Sequence, residues 1–231
     1  MKLERIVEWL DRALDVAAFS DVSNNGLQIA RSGGDVGKVA FAVDACARSV
    51  RAAAESGAQL LVVHHGISWG GGIARISGGV YEVVKAAMDA DVALYAVHLP
   101  LDANAKYGNN FEIAREMGLR RLKRAFVYHG ETIGVVGVDS CGRKVGVCSG
   151  GAGMHAVDAK ELGCDLFVTG EASWGEVIAA ENCGMAMEVR GHYETETYGV
   201  KALAKAMARE LKLRTEFLHR DRFPPCAGGV R

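Results

Sequence analysis

The chain is short of the residues that mark several protein classes. Its 231 residues include three prolines and 7% aromatics, and the formal net charge is -1. No apolar run approaches the roughly 20 residues of a membrane span. The opening Met1-Lys2-Leu3-Glu4-Arg5 enters an amphipathic pattern and lacks the apolar segment of a signal peptide. These absences predict a cytoplasmic protein with no membrane segment. The charge balance leaves out the broad basic footprint that nucleic acid requires, which argues against that partner. The six cysteines (Cys46, Cys141, Cys148, Cys164, Cys183, Cys226) form no C-x-x-C pair and no disulfide-like rhythm. They read as reduced, mostly buried thiols, with Cys226 on a tail. What the chain does have is apolar content, 49%, enough for one large or two small folded domains with real cores.

The stretch around which the rest is organised is Val62-Val63-His64-His65-Gly66. Leu60 to Val63 is short, β-branched and closed by glycine, as a buried strand is. Side chains alternate faces along a strand, so both imidazoles can reach one cavity only where the chain turns at its C-terminal tip. That edge is where open α/β sheets bind ligands. Asp102, in His98-Leu99-Pro100-Leu101-Asp102, and His192 with Glu196, in Gly191-His192-Tyr193-Glu194-Thr195-Glu196, supply matching groups. Taken singly, each is more readily an ordinary core or surface residue. Together, three imidazoles and two carboxylates form a ligand set for two first-row divalent ions: zinc, iron, manganese or cobalt.

In chain order, Leu3, Ile6, Val7, Leu10 and Leu14 predict an amphipathic helix. Asp21 to Gly26 is a turn and Leu27 to Ile29 a short extended piece. Asn25 to Gln28 reads as turn first and as site lining second. Lys38–Val43 reads as a strand, Arg48–Ser56 as a helix capped by Gly57, and the strand ending at His64 completes a parallel β-α-β unit. Gly66 to Gly72 is a flexible glycine-rich loop, in which Trp69 is a lid, a stacking platform or a packing residue. Val80–Ala90 is helical and Val92–Val97 a strand. Leu99-Pro100 predicts an extended turn. Phe111–Met117 is a helix, with Asn109 or Asn110 as N-cap and Gly118 closing it. The basic run Leu119 to Arg124 reads as a solvated helix end and linker. Thr132–Asp139 and Lys144–Cys148 form a hairpin. Ser149 to Gly153 is a glycine-rich turn, with an anion cradle as the second reading. His192 and Glu196 stand one turn apart on a helix running to Leu211, whose exposed stripe is Lys201, Lys205 and Arg209.

The second half repeats the first. A shift of 106 positions sets Val39 on Val145, Gly57 on Gly163, and Gln59 to His65 on Asp165 to Glu171, without a gap. Ala93 to Val97 likewise resembles Ala186 to Val189. This predicts an α/β fold of two similar α/β modules with mainly parallel sheets flanked by helices, residues 1–123 and 124–231. The metal site is expected in the cleft between them, a usual place for an active site.

His64-His65-Gly66 with Trp69-Gly70-Gly71, then Val97 to Asn104 with Gly108-Asn109-Asn110, then Thr169-Gly170-Glu171 and Gly191 to Glu196, resemble the Nif-three-like family of GTP cyclohydrolase I type 2 homologues. The match covers nearly the whole chain, in the short form without an inserted domain. It departs at Ser173-Trp174, where many relatives carry a histidine. The resemblance implies a dinuclear metal centre on His64, His65, Asp102, His192 and Glu196, and a homo-hexamer built as a trimer of dimers. Such ligand sets leave coordination positions for water, whose pKa they lower towards roughly 7. His98 and Glu171 are candidate catalytic acid/base groups, with a structural hydrogen bond and a helix cap as their alternatives. The leading reading is a dinuclear-metal-dependent hydrolase of a nucleotide-like substrate, of the GTP cyclohydrolase ring-opening type. The competing one is a non-enzymatic, metal-binding hexameric regulatory protein.

Overall fold

A computed structural model describes residues 1–223, so the expectation for Cys226 lies outside the described residues. The chain runs α1 (Leu3–Leu14), β1 (Gly26–Ile29), β2 (Lys38–Asp44), α2 (Ala47–Glu55), β3 (Leu60–His65), α3 (Gly78–Asp89) and β4 (Ala93–Ala96). It continues through α4 (Leu99–Asp102), α5 (Asn109–Glu116), β5 (Arg120–Tyr128), β6 (Glu131–Val138), β7 (Lys144–Cys148), α6 (Ala156–Glu161) and β8 (Leu166–Thr169). The last elements are α7 (Trp174–Cys183), β9 (Ala186–Val189), α8 (His192–Leu211) and β10 (Arg214–Phe217).

Two compact units result among the described residues: 1–98 with 203–223, and 99–202. This differs from a linear division at 123/124, for two reasons of hydrogen bonding. Strand β5 begins before that point and pairs with β6, while β10 returns to pair in parallel with β2, Arg214 opposite Lys38.

The first unit is built on a sheet of order β1-β4-β3-β2-β10. Every pairing is parallel except β1 with β4. Central strands buried on both faces need continuous apolar runs, and Val39 to Val43 and Leu60 to Val63 supply them at 0–1% exposure. Helix α1 turns Leu3, Ile6, Leu10 and Leu14 inward, as their spacing requires. Helix α2 is capped by Cys46, whose Sγ accepts from the Ser49 amide.

The second unit holds a mixed sheet of order β5-β6-β7-β8-β9. Its β6–β7 hairpin pairs Val135 with Val147 and Val138 with Lys144. Strands β7, β8 and β9 then run parallel. Four expectations are corrected here. The basic run is not a linker but the edge strand β5, where Arg120, Arg121 and Arg124 are exposed. Charged edge strands of this kind resist edge-to-edge association. Asn109 and Asn110 are not caps but buried residues inside α5, whose N-cap is Gly108. Leu99-Pro100 opens the helical turn α4 and not an extended turn, because proline near a helix start loses no helical hydrogen bond. Of the five described cysteines only Cys148 and Cys164 are buried, fewer than expected, and all five are free thiols.

The 106-residue repeat extends to the register and several hydrogen bonds of the two β-α-β units. The parallel registers Val39↔Leu60 and Val145↔Leu166 are equivalent, as are Ala42↔Val63 and Cys148↔Thr169. The Lys38 amide donates to Gln59 Oε1 (3.1 Å), and the Lys144 amide to Asp165 Oδ2 (2.7 Å). Lys38 Nζ donates to the Ser56 carbonyl, and Lys144 Nζ to its counterpart at Leu162. Even the helix exits agree: Ala58 N to Ala53 O and Cys164 N to Ala159 O, both 2.9 Å.

Among the described residues, no helix is long and apolar enough to cross a membrane.

Candidate metal centre

In the first unit the parallel sheet delivers His64 and His65 to the tip of β3, and the chain leaving β4 brings His98 beside them. Their ring centroids lie 4.8 Å (His64–His65), 5.1 Å (His64–His98) and 5.7 Å (His65–His98) apart. One ring nitrogen from each falls within 4.8 Å of the others, close enough for a shared ion. His64 is fully buried and His65 half-buried. Gly66 lets the chain leave at once. A Cβ there would sit 2.3 Å from the Gln28 amide and 2.5 Å from the Ala96 methyl.

The orientation of each ring follows from its Nδ1. His64 Nδ1 is 3.0 Å from the Val97 carbonyl, His65 Nδ1 2.8 Å from Asp44 Oδ1, and His98 Nδ1 2.9 Å from Asp21 Oδ1. Carbonyl and carboxylate oxygens only accept, so Nδ1 donates in each case and Nε2 is left to carry the lone pair of the neutral ring. Metal-ligating histidines are held in this way.

The loop after His65 is pinned rather than flexible at its start. Trp69 Nε1 donates to the Gly66 carbonyl, the Ile67 amide to Gln28 Oε1, and Asn24 Nδ2 to Ser68 Oγ. Trp69 stands edge-on to His98, 5.2 Å between centroids. Asn25 and Gln28 therefore brace the loops beside the histidines instead of lining a site.

In the second unit, α4 ends at Asp102, whose buried Oδ1 accepts from Asn109 Nδ2 (2.8 Å) and Ser149 Oγ (3.2 Å). Asn109 is itself fixed, since its Oδ1 accepts the Gly199 amide at 2.6 Å. His192 and Glu196 open α8 one turn apart, as their spacing predicts, with His192 Nε2 3.1 Å from Glu196 Oε1. Glu171 Oε2 accepts from His192 Nδ1 at 2.7 Å. A neutral ring has one N–H, so an imidazole between two carboxylates needs a second proton or a cation on its other nitrogen. Glu171, at the tip of β8, thus acts on His192. The glycine-rich turn spends three of its amides internally, as the plain-turn reading expects: Ser149 N on Asn110 Oδ1, Gly150 N on Thr195 Oγ1, Gly153 N on the Glu171 carbonyl. Trp174, at the start of α7, is 75% exposed.

The donor set fits first-row divalent ions. It offers imidazole nitrogen and carboxylate oxygen, and the buried Cys148 thiol is pushed up in pKa by burial and then by Asp102, so it stays protonated. Sequence reasoning missed Asp21, Asp44, Asn109 and Ser149. By sequence Asp21 reads as a turn residue and Asn109 as a helix cap, and nothing local announced their distant partners.

Known proteins resemble this chain over nearly its whole length. The family model for Duf34/NIF3 (NGG1p interacting factor 3) matches residues 1–141 and 131–224. A Deinococcus radiodurans protein named GTP cyclohydrolase 1 type 2 homolog is 37% identical over 245 residues, covering 94% of this chain and 92% of its own. A protein of the same name from Archaeoglobus fulgidus is 37% identical over 241 residues, covering 94% and 98%. Among solved structures, TTHA1606 from Thermus thermophilus superposes with a TM-score of 0.81 at 32% identity, covering 98% of this chain and all of the other. A Bacillus cereus protein related to NIF3, at 15% identity and TM-score 0.81, shares the fold. With fold and sequence in agreement over nearly its full length, the chain belongs to the Duf34/NIF3 family.

Proposed function

We propose that this protein is a metal-dependent hydrolase acting on a nucleotide-like substrate, with two divalent ions held by His64, His65, Asp102, His192 and Glu196. The observation that carries this is the uniform treatment of the imidazoles: His64, His65 and His192 each give Nδ1–H to a carbonyl or carboxylate, which reserves Nε2 for a ligand. Carboxylates braced by neutral donors, as Asp102 is by Asn109 and Ser149, complete the set. Divalent cations held there would supply Lewis-acid activation of water at neutral pH. His98, tilted against both His64 and His65, is the group we assign to proton transfer. Glu171 orients His192 and assists the same transfer through it. The relatives' name points to a guanine nucleotide opened at its imidazole ring. We place the protein in the cytoplasm, where unpaired cysteines stay reduced, as a homo-hexamer arranged as a trimer of dimers.

The test loads the purified protein in turn with zinc, iron, manganese or cobalt and screens it against nucleoside triphosphates, reading formate and phosphate. His64→Ala and Glu196→Ala should lose metal by elemental analysis and lose turnover. His98→Ala should keep metal and lose about 10²–10⁴-fold in rate. Full metal occupancy in both ligand variants would overturn the site. Chelation that dissociates the oligomer, with no substrate ever turned over, would favour the non-enzymatic regulatory reading. Light scattering should report six chains.

A further inference from the structure

The turn between α1 and β1 carries a carboxylate that the metal ligands do not use. The Asp21 side chain is 2% exposed, and burying a charge is costly unless donors surround it. Three do. Asp21 Oδ1 accepts from His98 Nδ1 (2.9 Å) and from the Ser23 amide (3.0 Å), and Oδ2 accepts from Asn25 Nδ2 (2.9 Å). Asn25 Oδ1 accepts the backbone amide of His98 at 2.8 Å. One five-residue turn therefore grips both the main chain and the ring of His98, more than 70 residues away in sequence.

The balance of forces keeps this carboxylate ionised. Burial acts to raise its pKa, but the hydrogen bond from His98, helped by Asn25 and the Ser23 amide, brings it down to about 2. The carboxylates that receive Nδ1 of His65 and His192 differ. Asp44 and Glu171 are 51% and 65% exposed, so water competes for them. A dry, multiply bonded acceptor holds its partner far more firmly than a wet one.

We propose that Asp21 is a positioning residue for His98: it holds the proton on Nδ1 and locks the ring's rotation, so that Nε2 is the nitrogen offered to the His64–His65 pair. This rests on the assignment of His98 to proton handling, since only then does the tautomer matter to turnover. The Asp–His pair itself can be examined without any substrate.

The experiment uses zinc-loaded protein labelled with ¹⁵N at histidine, and long-range ¹H–¹⁵N correlation spectra at a pH well above the ordinary imidazole range. The His98 resonances are identified by their loss in His98→Gln. Wild type should show His98 as a single tautomer protonated at Nδ1. Asp21→Asn should lower that form to about half or less, while Asn25→Ala, which frees the main chain but leaves the carboxylate, should retain it. A merely structural Asp21 would lower the melting temperature of Asp21→Asn and leave its tautomer unchanged; that result overturns the proposal. So does a wild-type ring protonated at Nε2, which needs no variant to fold. Failure of the underlying assignment is distinct: His98→Gln would retain full turnover of a substrate found by the nucleotide screen, whatever the tautomer in wild type.

Discussion

Replacing Gly150 by alanine tests whether the start of α8 is as tightly built as it looks. Gly150 follows β7 with φ +65°, and a Cβ there would lie 2.5 Å from Glu196 Oε1 and 3.5 Å from His192 Nε2. Two costs follow. Holding alanine in the left-handed region costs about 1–2 kcal/mol. Relief of the contact requires Glu196 to retreat by about 1 Å to reach an ordinary separation of about 3.5 Å. Glu196 is 3% exposed, so its retreat disturbs packed neighbours and parts it from His192. At about 2–4 °C per kcal/mol, the backbone term alone should lower the melting temperature of metal-free protein by about 2–8 °C. The misplaced carboxylate should weaken zinc binding about 10–100-fold, measured by competition with a chromophoric chelator. Gly151→Ala is the control. Its backbone is not left-handed, and its nearest neighbour, His192 Cε1, would be 3.7 Å away. Equal behaviour of the two variants, or wild-type zinc affinity in Gly150→Ala, would refute the reasoning.

Two further outcomes follow from buried polar groups. Because Asp21 titrates below its ordinary value in the folded protein, its contribution is complete above about pH 4 and lost as pH falls towards 2. Roughly 2 kcal/mol should disappear in that window, seen as a falling urea midpoint, and Asp21→Asn should flatten the fall. Asn109→Ala removes the donor to Asp102 and the acceptor of the Gly199 amide, both buried. It should cost about 1–3 kcal/mol by denaturant melting, and it should lower zinc content because Asp102 loses its brace.

The residues alone determined the repeating β-α-β pattern, because apolar runs and glycine exits are local signals that a short window contains. They also determined where His64, His65, His192 and Glu196 stand on their elements, since strand tips and helix starts are read from the same periodicities, whereas Asp102, expected in an extended turn, closes the helical turn α4. The edge strand β5 was hidden for a physical reason. Its outward residues are arginine and lysine, and left-handed backbone at Arg121 and Phe126 breaks the alternation, so it looks like a charged linker. The extent of each unit was hidden too, since β10 joins β2 across some 170 residues and hydrogen bonds of that span leave no trace in a local pattern. Only the tertiary structure decided which polar residues brace the imidazoles and carboxylates. Asp21, Asp44 and Asn109 are ordinary turn, strand-end and cap residues by sequence. Their role comes from burial beside a distant partner, where an acceptor or donor without its hydrogen bond would be costly.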